Sequence, residues 1–371
     1  MPLELTLPRP PRKAVRGFTL VELMIALTLG LLIVAGVTSL FIGMRASYSF
    51  QEGLSRVQEN GRFAVQHLSH ELRMSGFAGC SNNIVNWLNP AGTGYTTSVY
   101  GQRTVTGWEA TGTGPGDNYT LGTATNWQSS SGEALPPEIN NPLPGSDVFV
   151  LNTSELVDIE LQGNPSPPAN SITASSATGI PQSAVVTVVT ASCAGGDIFM
   201  KNSSDGNVAL TKGNGTGMNP GNINPNGGFS QNHDNDSMIY RHRSTAYFIR
   251  NNPAVPPEPA LYQLSLDEAR LKGGSINPQE LVAGVENMQI LYGEDTNGDR
   301  TANTYRAADN VVSWNRVVAV RLALLLRNDS FVQSESALRA YDIAYTNVTP
   351  TEDGRVRQVM TLTVALRNEL P

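Results

Sequence analysis

The sequence predicts an α+β protein in which a long N-terminal α-helix packs on an antiparallel β-sheet domain with long loop insertions. Three observations lead to this prediction. Residues 18–44 carry a single charge, that of Glu22. Apolar residues then recur at helical spacing as far as Met74, and later segments alternate with the period of two that is typical of strands.

The composition fits short strands and long loops. The 371 residues include 35 Gly and 23 Pro, and only 15% are charged. The formal net charge of -7 gives no sign of the basic surface that dedicated nucleic-acid-binding proteins usually show. We therefore expect no direct nucleic-acid partner.

Residues 18–44 are long enough to span a membrane. At about 1.5 Å per residue, a helix of this length covers about 40 Å, more than the hydrocarbon core of a bilayer. Arg9, Arg12, Lys13 and Arg16 precede it. Under the positive-inside rule, such a basic segment stays in the cytoplasm and the rest of the chain lies across the membrane. A secretory signal would have a shorter apolar run, with its cleavage site after that run.

Residues 45–76 are predicted to continue the helix as an amphipathic segment that enters a globular domain. Apolar or small residues recur there at helical spacing, namely Leu54, Val57, Gly61, Ala64, Val65, Leu68 and Leu72. Gly53 and Gly61 each cost a helix about 1 kcal/mol relative to alanine. We therefore expect this part of the helix to depend on packing against a sheet.

Residues 77–371 are predicted to form a β-rich head. The segments 316–327 and 355–367 show the clearest alternation, and weaker strand candidates cover 147–152, 184–191, 238–250, 260–266 and 282–292. Residues 90–145 and 201–237 are polar and rich in Gly, Asn and Pro, so we predict long surface loops there.

Two cysteines, Cys80 and Cys193, occur in the part of the chain that is predicted to lie outside the cytoplasm. An oxidising compartment favours one disulfide between them, although two free thiols remain an alternative.

Alternating oxygen-bearing side chains, Asp295, Asn297 and Asp299, resemble the start of a calcium loop. Arg306 stands where an EF-hand has its bidentate glutamate, so the segment is not an EF-hand. Two alternatives remain. The segment is a hairpin turn, or it is a Ca²⁺ site completed from elsewhere, for example by Asp309.

The segment Gly17–Phe18–Thr19–Leu20–Val21–Glu22 resembles the type IV prepilin signal, GFTLVE. The resemblance implies a leader over residues 1–17 and cleavage between Gly17 and Phe18 by a prepilin peptidase. N-methylation of Phe18 then follows. It also implies that Glu22 neutralises the terminal amine of a neighbouring subunit, since a carboxylate in hydrocarbon is costly without a partner. Ser39 stands where many major pilins have proline, which favours a minor subunit.

Three later blocks, GVENMQILYGEDTNGD, VVSWNRVVAVRLALLLR and RQVMTLTVALRN, are similar to the PilW family of minor pilins. The resemblance implies a pilin-like fold and a place in a filament-priming or tip complex that supports twitching motility and attachment. The implied partners are prepilin peptidase, other minor and major pilins and the inner-membrane assembly platform. The implied location is the bacterial inner membrane, then the pilus fibre or its tip.

Two alternative functions remain open. One is a tip adhesin that binds a ligand through the loops at 90–145 and 201–237. The other is a minor pseudopilin of type II secretion.

No enzyme signature is evident, so we expect neither catalysis nor a certain cofactor beyond the Ca²⁺ candidate. GNGTGMNPG lacks the GK[ST] of a phosphate-binding loop, and no GxSxG motif is present. His233 in a polar loop and His242 on a predicted strand are both expected to be solvated surface residues.

Overall fold

In the computed structural model of the chain, the structure describes residues 17–81, 83–123, 126–162, 169–215, 217–253, 257–274, 276–328, 339–351 and 353–368. The predicted leader, apart from Gly17, and its four basic residues lie outside the described residues.

The N-terminal helix, α1, runs from Leu20 to Met74, as the two apolar patterns predict. The described residues up to Glu52 belong to one compact unit, and the chain from Gly53 onward forms a second one. In the first unit, side chains from Gly17 to Tyr48 are exposed.

The second unit contains the described strands and the remaining helices. The strands are β1 Ile84–Asn86, β2 Val105–Ala110, β3 Asn118–Thr120, β4 Trp127–Gln128, β5 Val148–Val157, β6 Leu161–Gln162, β7 Ser171–Ala174, β8 Val185–Val189, β9 Gly196–Met200, β10 Ala209–Thr211, β11 Met238–Asn251, β12 Pro259–Ser265, β13 Gln279–Ala283, β14 Val285–Glu294, β15 Thr304–Arg306, β16 Val317–Arg327, β17 Tyr341–Ile343, β18 Thr346–Thr349 and β19 Arg357–Ala365. The helices are α2 Thr97–Tyr100, α3 Leu266–Leu271 and the 3-10 turns η1 Ala308–Asn310 and η2 Trp314–Arg316.

The strands form two large sheets and two small ones. The first sheet has the order β1-β9-β8-β11-β5-β2-β4, and β12 and β13 extend it beside β11. The second has the order β15-β14-β16-β19, and the small sheets are β10-β7-β6 and β17-β18-β3. In the part of the chain that the structure describes, only β1 with β9 and β18 with β3 pair in parallel. The predicted α+β class with antiparallel sheets is confirmed.

The second-unit part of α1 packs on the second sheet through small residues. Its buried residues are Gly53, Val57, Gly61, Ala64, Leu68 and Leu72. A Cβ at Gly61 would lie 2.9 Å from two atoms of Met360 on β19 and 3.5 Å from Leu326 on β16. Glycine is therefore present where the helix approaches the sheet closely, and the expected packing of this part of the helix against a sheet is confirmed.

Strands β16 and β19 confirm the two clearest strand predictions. They pair antiparallel, with Leu322 opposite Leu362 and Val320 opposite Val364. The alternate residues of β16 are buried as well, because Ala323 and Leu325 pack in a smaller core with Ile343 and Val348 of the small sheet β17-β18-β3. A strand covered on both faces reads as a nearly continuous apolar run, as β16 does.

The prediction of a surface loop over 90–145 is wrong where β2 forms. Every residue of β2 is buried, and the strand pairs with β5 inside the first sheet. Its sequence, VTGWEA, does not look like a buried strand, because Thr, Gly and Glu interrupt the apolar residues. Gly107 is required because a Cβ there would overlap the Tyr292 hydroxyl.

The 201–237 segment is also more ordered than a surface loop, because it holds β10 and the buried residues Lys201, Lys212 and Asn222. His233 corrects a second expectation, since its side chain is fully buried and not solvated. Its Nε2 lies 2.7 Å from Asp197 of β9. The same carboxylate accepts hydrogen bonds from the Ser230 amide at 2.9 Å and the Trp87 indole at 2.6 Å. Asp197 thereby fixes this segment to the first sheet.

The buried carboxylate of Asp147 joins the two large sheets. One oxygen accepts the Ala110 amide of β2 at 3.0 Å, and the other accepts the Ile290 amide of β14 at 2.8 Å. Burial raises the pKa of Asp147 to about 7, although these two amides oppose the shift. Burial, followed by the charges of Asp147 and Asp309, raises the pKa of the neighbouring Glu109 well above its usual range. The pair therefore retains a proton in the folded protein.

We predict that the contribution of Glu109 and Asp147 to the free energy of unfolding falls as the pH rises from about 4 to about 7 and beyond. Unfolded carboxyls titrate near pH 4, so over this interval the folded state binds more protons than the unfolded state. The substitution Glu109→Gln keeps a hydrogen-bonding side chain but removes one of the raised groups. It should reduce the difference in stability between pH 5 and pH 8 by about 1 to 3 kcal/mol, since a shift of one pKa unit corresponds to about 1.4 kcal/mol.

Thermal unfolding of the full chain in detergent micelles, followed by circular dichroism at both pH values, measures this effect. Glu160→Gln is the matched control, because Glu160 is exposed. An unchanged pH dependence in Glu109→Gln would contradict the assignment of the shared proton.

Candidate functional site

The segment around the predicted cleavage point is open to solvent. Gly17 and Phe18 precede the first turn of α1, and Phe18 is 89% exposed. A peptidase could therefore reach this peptide bond without unfolding of the helix. Cleavage there and methylation of Phe18 stay predictions.

Glu22 and Thr19 together cap the N-terminus of α1. The Thr19 amide donates to Glu22 Oε2 at 2.9 Å, and the Glu22 amide donates to Thr19 Oγ1 at 3.2 Å. This reciprocal pair is a capping box, in which two otherwise unsatisfied amides of the first turn gain acceptors. This role of Thr19 was not predicted, although the T-x-x-E spacing is its signal in the sequence. Glu22 thus has a local partner in the single chain.

The helix that follows is long and apolar enough to cross a membrane. None of its most apolar window is buried within the protein. Large apolar side chains such as Leu31, Leu32 and Ile33 are each more than 60% exposed. So much exposed apolar surface requires lipid or other protein chains around it.

The predicted disulfide between Cys80 and Cys193 is confirmed, and the two Cα atoms lie 5.4 Å apart. It connects the segment after α1 with the turn between β8 and β9. Strands β1 and β9, which pair in parallel, begin a few residues after the two cysteines. The disulfide therefore fixes the chain where it enters the first sheet.

The acidic segment after β14 folds as a turn held by its own side chains. Asp295 accepts the amides of Gly298 at 2.6 Å and Arg300 at 2.7 Å, and Asp299 accepts the amide of Thr301 at 2.8 Å. Burial raises the pKa of Asp295, but these amides outweigh it and hold the pKa below its usual value.

This arrangement favours the hairpin-turn alternative. The Asn297 side chain also bonds within the turn, donating to Asp299 at 3.0 Å. Asp309 lies on η1, where its charge acts on Glu109 and Asp147. The described residues contain no group of three or more His, Cys, Asp and Glu side chains that could hold a metal ion. The Ca²⁺ site stays a prediction.

A cavity of about 680 Å³ opens in the second unit where segments from both predicted loops meet. We call it the loop cavity. Its principal lining residues are Thr96, Tyr100, Glu138, Asn140, Asn219 and Arg270. This volume lies in the range of small-molecule binding sites.

Comparison with known protein families assigns both ends of the chain. Residues 246–368 match the model of Type IV Pilus-assembly protein W, PilW. Residues 12–38 match the prokaryotic N-terminal methylation motif. The C-terminal third of the chain is thus similar to PilW-family pilins, and its N-terminus is similar to prepilin signals. No curated protein and no solved structure matches it.

The PilW match covers the second sheet and the end of β11, and the methylation motif covers the prepilin signal with much of the apolar part of α1. Together they support a minor pilin of the type IV pilus that is anchored in a membrane. Pilins are structural components of pili, so the match favours a structural role. Residues 39–245 match neither model, and most of the loop cavity comes from this stretch.

We predict that the double substitution Cys80→Ser and Cys193→Ser lowers the free energy of unfolding by about 2 to 5 kcal/mol. The cysteines are 113 residues apart, so the disulfide restricts a large part of the unfolded chain. Thermal unfolding of the full chain in micelles measures the loss. Dithiothreitol should reproduce it in the wild type and have no effect on the double variant. Equal stability of the two proteins would show that the disulfide contributes nothing.

Proposed function

We propose that this chain is a PilW-family pilin. It takes part in type IV pilus assembly as a subunit of a filament-priming or tip complex that supports twitching motility and attachment. The observation that carries the proposal is the combination of a PilW-type sheet domain with an intact prepilin signal and an exposed apolar helix. The partners would be prepilin peptidase, other minor and major pilins and the inner-membrane assembly platform.

In the proposed pathway, the N-terminus stays in the cytoplasm and the β-rich head lies in the periplasm. The peptidase removes the leader after Gly17, and the new amine of Phe18 is methylated. The exposed apolar side chains of α1 support subsequent burial among the helices of other subunits, because association removes them from lipid without loss of apolar contact. The head then leaves the inner membrane with the pilus.

Glu22 would change partners during this process. In the single chain its carboxylate accepts the Thr19 amide. In a bundle, the ammonium of a neighbouring subunit would offer a charged partner in low dielectric, where a charge-assisted hydrogen bond is about twice as strong as a neutral one. The net driving force is the difference between these two interactions. This exchange would favour one axial position of each subunit relative to its neighbour.

A second candidate function is ligand binding at the pilus tip, and the loop cavity favours it. Residues from 94–100, 137–140 and 217–219 line one opening, although the sequence separates them widely. Convergence of this kind is typical of binding sites supported by a rigid scaffold. The PilW match favours the type IV pilus over the type II secretion alternative.

We predict that Glu22→Ala and Glu22→Gln each reduce the ratio of protein in sheared pili to protein in membranes by at least about tenfold, as expected if a buried charge pair is worth more than about 1.4 kcal/mol. Glutamine is accepted in a capping box, so Glu22→Gln preserves the helix start and removes only the charge. Mass spectrometry of the N-terminal peptide in both fractions gives the ratio, and the pilus peptide should begin at N-methylated Phe18.

Thr19→Ser is the matched control, since serine keeps both the cap and the neighbouring charge. It should enter pili at the wild-type level. Normal incorporation of Glu22→Gln would refute the charge exchange while leaving the family assignment intact. An unprocessed N-terminus in every fraction would refute the pilin pathway itself.

A further inference from the structure

The loop cavity is built from six separate parts of the head. Thr96 and Tyr100 lie at α2, Glu138 and Asn140 follow in a loop, and Asn219 comes from the second predicted loop. Arg270 on α3, residues 182–185 at the start of β8 and His242 on β11 complete the wall. His242 is partly buried, which corrects the expectation of a solvated surface residue.

The charged groups that line the cavity already have partners, some of them outside the lining. Arg270 Nε donates to Glu138 Oε1 at 2.9 Å, and its Nη1 donates to the Gly94 carbonyl at 3.1 Å. Asp267 accepts the Ser244 amide at 3.1 Å and lies 3.5 Å from Arg243 Nη1. A charged ligand would have to compete with these pairs and would lose its own hydration. The walls therefore favour an uncharged ligand.

Acceptors without donors remain in the same walls. Glu138 Oε2 is buried and has no hydrogen-bond partner among the described residues. His242 Nε2 lies 2.7 Å from the Val99 carbonyl, so this nitrogen carries the proton and Nδ1 has the free lone pair. Burial lowers the pKa of His242 and keeps the ring neutral. A ligand hydroxyl that reached either of these acceptors would satisfy it.

Amide side chains at the opening supply the complementary polar groups. Asn140 and Asn219 are exposed and line the cavity, and each amide offers two donors and an acceptor. A hydroxyl group is both a donor and an acceptor, so it can bond to such an amide in either direction.

We propose that the loop cavity binds a neutral saccharide. A ring with several hydroxyls matches the uncharged walls, the unpartnered acceptors and the amides at the opening. The volume of about 680 Å³ has room for one or two sugar units. The inference rests on the second candidate function, ligand binding by the head, and is independent of the assembly role.

A peptide fits this cavity less well. Its backbone brings acceptors and donors in equal numbers, and its side chains need apolar pockets along the groove. In the loop cavity, the polar groups that remain available to a ligand are instead mainly acceptors and side-chain amides.

The test is a glycan array probed with the full chain in a zwitterionic detergent, because alkyl glucoside and maltoside detergents carry sugars that would compete. The array holds neutral, sialylated and sulfated glycans. Binding to neutral glycans is the expected result, followed by titration calorimetry with the strongest neutral glycan as the probe. Asn140→Trp, which fills the opening, should weaken the affinity at least tenfold.

Asn347→Trp is the matched control, since Asn347 is an exposed asparagine on β18 and does not line the cavity. It should bind as the wild type does. No binding to neutral glycans, a preference for sialylated or sulfated ones, or equal binding by Asn140→Trp would each overturn the proposal.

The proposed function has its own readout. Incorporation of both tryptophan variants into pili is measured by the ratio used for Glu22, so a failure of saccharide binding is distinguished from a failure of assembly.

Discussion

The head depends on one buried carboxylate. Asp147 accepts an amide from β2 and another from β14, which belong to different sheets and are separated by more than 170 residues in the sequence. The backbone of Asp147 also bonds to β14, because the Asp147 amide donates to the Met288 carbonyl at 2.9 Å. A buried acid is costly unless its oxygens are satisfied, and here the two satisfying amides are the ones that bring the sheets together. The position of β2 relative to β14 follows from this contact.

Much of the architecture could be predicted because its signals are local and periodic. The spacing of Val57, Ala64, Leu68 and Leu72 predicts the buried side of α1, and the alternation in 316–327 and 355–367 predicts the pair β16 and β19. The helical glycines indicated packing against a sheet, and Gly61 is found against Met360. The two cysteines sufficed for the disulfide, because only one intramolecular pairing is available to them.

Other features escaped prediction because they depend on partners far away in the sequence. Nothing next to His233 in the sequence indicates that its side chain forms a hydrogen bond with Asp197. Asp147 likewise looks like an ordinary aspartate at the start of a strand, because its partners, the amides of Ala110 and Ile290, are distant in the sequence. The strand β2 was hidden by Gly107, which reads as a loop residue but is needed for contact with Tyr292. The loop cavity arises from contacts between segments that have no common sequence pattern. The capping box, by contrast, had a local signal that the strong apolar pattern of α1 obscured.

The disulfide has a consequence for the resistance of the head to proteolysis. It encloses the segment from Cys80 to Cys193, which includes α2, β2, β5 and several exposed turns. Exposed turns are the places where extracellular proteases cut. A single cut within this segment would leave the two fragments covalently joined, and the strands of both would still pair in the first sheet. The head could therefore be nicked there and remain one covalently joined particle.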